Sequence, residues 1–433
     1  MTPLSIGLIG LAVLFVLLLS RMPIGLVMAL VGFAGFAIIA GFNDALGVLG
    51  TVPYSTFANY NMSIIPLFIL MGAFCFYSGL SKDLYDTVHA WLGHFRGGLS
   101  MATVGACASF AAVSGSSLAT AATMGTVALP EMKRHQYDDR LATGAVAAGG
   151  TIGILIPPSI VLILYAVLTE QSIGKLFLAG VIPGVLEALF YLFTIYILCK
   201  FNPQFGPPGP GTTFRQKIYS LRNSWIVLVL FLLIMGGLYM GWFSPIEASG
   251  IGAFGAFIFA VFRKKLSWQS FKESLFDTGK TTTMIFIILL GAMIFGYFLA
   301  VSRLPYELAN TIGALAVNRY VILAIILLFY LCLGAVMDSL AMMLLTVPIF
   351  FPLVLELGFN PIWFGILIVR VCEIGLITPP VGLNVYIIRG VAKDVPMQTI
   401  FRGIAPFLVA DVLHVTLLVA FPQITLFLPN LIK

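Results

Sequence analysis

Charge is what this sequence has least of: Asp, Glu, Lys and Arg supply 9% of its 433 residues, against 60% hydrophobic residues. Soluble domains carry roughly 25% charged residues. An aqueous fold cannot bury this much apolar side chain, so the formal charge of +6 does not point to nucleic acid. Cysteine is scarce too, with Cys75, Cys107, Cys199, Cys332 and Cys372 all inside apolar stretches and none in CxxC spacing. They read as small packing residues, not as a disulfide framework or a zinc site. Enzyme and pump motifs are missing as well. Gly279-Lys280-Thr281 resembles the end of a P-loop, but Ser274 stands where the first glycine is needed. His89 and His94 do not form HExxH, and no GxSxG surrounds Ser114 to Ser117. ATP-driven transport and intramembrane proteolysis therefore lose support, and no enzyme activity is expected.

What is present is spanning length. Apolar segments run over 4–20, 22–40, 62–80, 175–199, 225–241, 245–262, 281–300 and 403–421. At about 20 residues per span the chain holds on the order of a dozen membrane segments. The first run lacks a basic leader and is followed at once by Arg21 and a second run, so it reads as a retained span and not as a cleaved signal. Of the 23 basic residues, 18 fall in alternate loops: near 21, 82–96, 133–140, 200–222, 263–280 and 389–402. The positive-inside rule makes that side cytoplasmic. The stretch from Asn202 to Arg222, rich in Pro, Gly and basic residues, is a cytoplasmic linker between halves. Lys82 to Arg96 and Arg263 to Lys280 mix charge with large apolar residues. They fit either amphipathic helices at the interface or solvated loops.

Four apolar runs are too short to span. Leu99 to Ala112 and Ser117 to Pro130 flank Val113-Ser114-Gly115-Ser116, and Val321 to Ala335 and Ser339 to Pro352 flank Val336-Met337-Asp338. Runs of 14 or 15 residues rise about 21–23 Å against a hydrocarbon core near 30 Å, which predicts two re-entrant hairpins. Sliding the chain on itself by 222 positions then aligns Ser117-Leu118-Ala119 with Ser339-Leu340-Ala341, Pro130 with Pro352, Gly153 with Gly375, and Pro157-Pro158 with Pro379-Pro380. At 224 positions Ser78, Leu80, Asp83 and Leu84 meet Ser302, Leu304, Glu307 and Leu308; at 223, Gly180 and Pro183 meet Gly403 and Pro406. Counting spans puts the bases of the two hairpins on opposite sides, so the repeats are inverted. Inverted repeats with discontinuous helices are a transporter architecture, with the binding site near the midplane.

The chemistry-bearing residues lie at these irregularities. The tip Ser114-Gly115-Ser116-Ser117 offers hydroxyls and unpaired backbone groups: carbonyls suit a small cation and half-helix N-termini an anion. At the second tip Asp338 replaces Ser116, beside Gly334 and Ser339. A carboxylate near mid-membrane costs roughly 2.5–3.5 kcal/mol. Sodium coordination, a proton relay or a structural cap are its candidate roles. The broken helices bring Gly149, Gly150, Thr151 and Gly153 to Pro157, and Glu373, Gly375 and Thr378 to Pro379 and Asn384. Proline frees the carbonyl one turn back, which then needs a partner. Arg370 either pairs with Glu373 at i,i+3 or grips a substrate carboxylate with its planar fork. The candidate substrate groups are Ser116, Ser117, Arg370, Thr378 and Asn384. The candidate sodium groups are Ser114, Gly115, Ser116, Gly149, Gly153, Pro157, Gly334, Asp338, Gly375 and Thr378.

Four stretches together resemble the large membrane subunit of tripartite ATP-independent periplasmic (TRAP) transporters: Ser114-Gly115-Ser116-Ser117; Gly153-Ile154-Leu155-Ile156-Pro157-Pro158-Ser159; Asp338-Ser339 with Leu345-Thr346-Val347-Pro348; and Gly375 through Asn384. The resemblance covers essentially the whole chain. It implies sodium-coupled uptake of an organic acid, such as a sialic acid or a C4-dicarboxylate, delivered by a periplasmic substrate-binding protein. It also implies a separate small four-helix membrane subunit, and two or more sodium ions at the tips. Arg303 is then a docking contact for the binding protein. The implied fold is all-α, polytopic and elevator-type. Scaffold helices occupy 1–60 and 224–262, a first repeat 61–200 (hairpin 99–131, broken helix 140–168), a linker 201–223, and a second repeat 263–433 (hairpin 321–355, broken helix 361–389). The alternative is a stand-alone sodium- or proton-coupled symporter or antiporter of the same broad fold.

Overall fold

The computed structural model describes residues 2–209, 211–313 and 317–431. Among them the regular elements are all helical, and seven helices are long and apolar enough to cross a membrane. In chain order they are α1 (Pro3–Leu19), α2 (Ile24–Ala40), α3 (Phe42–Phe57), α4 (Ile64–Tyr77), α5 (Leu80–Leu92), α6 (Gly98–Ser114), α7 (Ser117–Arg134), α8 (Asp139–Leu155), α9 (Ile160–Thr169) and α10 (Ile173–Phe201). The second half holds α11 (Phe214–Tyr239), α12 (Pro245–Phe262), α13 (Trp268–Ser302), α14 (Leu304–Gly313), α15 (Arg319–Gly334), α16 (Ser339–Glu356), α17 (Pro361–Gly375), α18 (Leu383–Val391), α19 (Met397–Ala420) and α20 (Gln423–Leu431).

The offsets read from the sequence map α4–α10 onto α13–α19, helix for helix. Even a backbone irregularity repeats. Gly79 and Arg303, 224 positions apart, both take left-handed conformations, φ +73° and +56°, where the spanning helix turns into the short helix that follows. That turn explains why a non-glycine residue stands in a region L-residues rarely enter.

The inversion follows from contacts at the two ends of the molecule. At one end the linker binds the base of the first hairpin: the Gly97 amide donates to Gly206 O at 2.8 Å, Gly209 to Gly93 O at 3.0 Å and Asp138 to Phe205 O at 3.0 Å. Lys133 pairs with Asp394 there, so α8 starts and α18 ends at this face. At the other end the Tyr165 hydroxyl near the close of α9 donates to Pro361 O, at the start of α17, at 2.6 Å. The two broken helices therefore run in opposite directions.

Several expectations need correction. The hairpin arms are longer than read, 17 and 18 residues in the first hairpin, because α6 runs on through Val113 and Ser114 at the tip and α7 through its polar base, 131–134. Lys82 to Arg96 is no solvated loop: most of it is α5, which buries Leu84 and Tyr85. Arg263 to Lys280 is not a separate interfacial helix, since Trp268 onward is the beginning of the 35-residue α13, capped by Ser267. The linker is shorter than 202–222, because Thr213 and Gln216 close a capping box that starts α11. Finally, α3 was missed because Asn43, Asp44, Thr51 and Pro53 interrupt its apolar pattern.

Candidate functional site

Each hairpin tip lies against the break of its own repeat. In the first repeat a Cβ at Gly153 would sit 2.9 Å from the Ser116 carbonyl oxygen, and one at Gly115 (φ +60°) only 2.7 Å from Pro158 O. In the second, a Cβ at Gly375 would sit 2.6 Å from Gly334 C, and the Gly382 amide donates to Ala335 O at 3.1 Å. Only backbone fits these crossings, which is the physical content of the matched glycines.

Ser116 and Asp338 hold repeat-equivalent positions as the N-caps of α7 and α16. Ser116 Oγ accepts from the Ala119 amide at 3.4 Å, and Asp338 Oδ2 from the Leu340 amide at 3.1 Å. Capping is thus one role the structure gives Asp338. Ser114 shares a hydrogen bond with Thr120 (2.9 Å), and Thr378 donates to Ile374 O (2.7 Å). Hydroxyls, one carboxylate and helix-end carbonyls form an all-oxygen donor set of the kind that holds sodium at broken helices. Gly149 lies on α8, where its Cβ would meet Cys107 Sγ at 3.0 Å, so it packs α8 on α6 and stands apart from the tip. Asn384, fully buried, reaches back to Ala147 O at 3.4 Å and leaves its own Oδ1 without a partner. The two breaks differ in access: Pro157 and Pro158 are buried, whereas Pro379 and Pro380 are exposed.

Arg370 is not at the tips, and it does not pair with Glu373. The i,i+3 spacing would allow the pair, but the two side chains engage different neighbours. Arg370, fully buried, places Nη1 2.9 Å from Glu187 Oε1, and its Nη2 donates to Asp411 Oδ1 and, at 3.1 Å, to the Tyr191 hydroxyl. Tyr191 donates to Asp411 at 2.7 Å and Thr151 to Glu187 at 3.1 Å. Glu373 instead accepts from Ser117 Oγ on Oε2 and from Ser339 Oγ on Oε1 (2.8 Å). The sequence reading missed Glu187 and Asp411. The signal was available, since each is a lone carboxylate inside an apolar span. Arg303 is exposed and lines a cavity of about 350 Å³ with Pro305, Tyr306, Pro348 and Glu356, between α13, α14 and α16.

Residues 11–424 match the family model described as "Tripartite ATP-independent periplasmic transporter, DctM component". The chain belongs to this family. It is 37% identical over 401 residues to the C4-dicarboxylate TRAP transporter large permease protein DctM of Pseudomonas aeruginosa, covering 92% of this chain and 93% of that one. It is 33% identical over 420 residues to the sialic acid TRAP transporter large permease protein SiaM of Vibrio cholerae, covering 96% of each. The isethionate TRAP transporter permease protein DctMQ of Oleidesulfovibrio alaskensis is 32% identical over 95% of this chain, which spans 64% of that longer protein. Among solved structures, the YdaH transporter of Alcanivorax borkumensis superposes with TM-score 0.65 at 14% identity, covering 88% of this chain and 90% of that one. That likeness concerns the fold alone. Together they make this TRAP large permease subunit a multi-pass membrane protein of a transporter family.

Proposed function

We propose that this TRAP permease imports an organic acid anion across the bacterial inner membrane, drawing on a sodium gradient, with a small four-helix subunit and a periplasmic binding protein as partners. The observation that carries this reading is the pair of inverted hairpin tips, each seated on the break of its own repeat. Substrate carboxylate would meet the Ser116 hydroxyl and the half-helix N-termini of α7 and α16, while a donor group of the substrate would meet the Thr378 oxygen and the free acceptor end of Asn384. Sodium would take the oxygens at Ser114, Ser116 and the Gly153–Pro157 segment on one side, and those at Asp338, Gly334, Gly375 and Thr378 on the other. Arg370 acts by positioning α10, α17 and α19, not by touching substrate.

The energetics suit sodium. Each charge moving down 100 mV yields about 2.3 kcal/mol. Two ions supply twice that, and an anionic substrate returns part of it. The hairpins and broken helices would travel as one body against α1–α4 and α11–α13. The DctMQ relative, longer than this chain, supports a permease partner. The SiaM and DctM relatives support a carboxylate cargo, and Arg303 at an exposed turn is the candidate docking contact for the binding protein.

Reconstitution in proteoliposomes tests the reading. Uptake is expected only with the small subunit, a loaded binding protein and an inward sodium gradient. Uptake of free substrate by this chain alone would instead establish the stand-alone carrier.

A further inference from the structure

Glu373 is hydrogen-bonded to both hairpins at once. Ser117 and Ser339 are repeat-equivalent, 222 positions apart, and each is the first residue of the returning arm, immediately after the N-cap. Both hydroxyls donate to Glu373, one to each carboxylate oxygen. Glu373, Ser117 and Ser339 are at most 1% exposed. The nearest basic side chain along its own helix, Arg370, is engaged by Glu187 and Asp411. At its own repeat-equivalent position stands Thr151, which reaches Glu187 and no tip. Among the described residues this link has no counterpart at Thr151, so it lies off the symmetry of the repeats.

A buried carboxylate without a cation is expensive unless other charge answers it. Here the positive ends of α7 and α16 converge on it, each worth about half a charge. With Asp338 also at the second tip, the negative charge between the hairpins leaves room for bound cations. We propose that Glu373 is a positioning residue that couples the two sodium sites: an ion at one tip fixes the serine on that side, orients the shared carboxylate and so prepares the other tip. The inference rests on the sodium-coupled reading above. It adds that the two ions bind cooperatively, through one residue.

The test is a sodium titration of thermal unfolding of the purified two-subunit complex, at constant ionic strength set with choline. Wild type is expected to be stabilised with a Hill slope above 1. In Glu373→Gln the half-saturating sodium should rise at least about fivefold, the low end of usual coupling between sites, with the slope falling to 1. Ser339→Ala, which keeps the carboxylate and the Ser117 bond, should lower the slope likewise and serves if Glu373→Gln does not fold. A merely structural Glu373 would lower the unfolding midpoint without sodium yet leave half-saturation and slope at wild-type values in both variants; that result overturns the coupling role. A wild-type complex with no sodium response overturns sodium coupling itself, and this inference with it.

Discussion

Arg370 shows how far one side chain departs from its sequence neighbourhood. Its local partner, Glu373, points to the tips, and its actual partners lie 183 positions before it and 41 after. Two carboxylates and one guanidinium, all without solvent exposure, form a set in which removing the cation leaves two anions facing each other. Breaking such a set costs about 3–5 kcal/mol, whereas neutralising all of it together is often tolerated. Arg370→Met should therefore lower the thermal unfolding midpoint of the purified complex sharply, and Arg370→Met/Glu187→Gln/Asp411→Asn should recover most of the loss. An Arg370→Met protein that unfolds like wild type but no longer takes up substrate would place the guanidinium on the cargo instead.

At the scale of single elements, helix ends carry the local instructions. Asp138 caps α8, accepting from the Arg140 amide at 2.8 Å, while its carboxylate holds the Arg140 guanidinium at 2.9 and 3.0 Å. Outside the membrane-spanning helices, that guanidinium first, and then the amide, hold the Asp138 carboxyl below its ordinary value. A depressed folded value means the contribution is present above the unfolded value, about 3.9, and fades as pH falls through the folded one. Asp138→Ala should cost about 1 kcal/mol at neutral pH. The gap in unfolding midpoint from wild type should narrow as pH falls below the ordinary carboxylate value of about 3.9, and a gap that stayed constant with pH would deny the carboxylate's charge any part in the cap. Elements of this kind were legible in advance where the signal was local or repeated. Pro157-Pro158 and Pro379-Pro380 at one offset disclosed both breaks, and short apolar runs around Ser114–Ser116 and Asp338 disclosed both hairpins. What stayed hidden was non-local. Nothing in the neighbourhood of Tyr191, Thr151 or Asp411 says that they meet at Arg370. Nor does the charge on Lys272 and Lys280 tell a helix lying on the membrane from the first turns of one that enters it.

At the scale of the molecule, the question is whether the hairpins move as a body. Helix α4 belongs with the outer helices, since Phe74 packs on Phe257 of α12 and Gly72 faces inward to the first tip. A Cβ at Gly72 would lie 3.0 Å from Val113 O and 3.3 Å from Ser114 Cα. That is close enough for a disulfide, whose Cα atoms stand about 4.4–6.8 Å apart. Gly72→Cys with Ser114→Cys, in a background where Cys75, Cys107, Cys199, Cys332 and Cys372 are replaced, should cross-link on mild oxidation. Sliding of the hairpins against α4 would then be blocked, so uptake should fall on oxidation and return on reduction; Ser114→Cys alone reports what the tip loses without the bond. Uptake that survives complete cross-linking would fix the first tip to the outer helices throughout the cycle. Alternating access would then have to come from rearrangement around the exposed second break, where Pro379 and Pro380 meet solvent or lipid, and not from travel of the whole inner body.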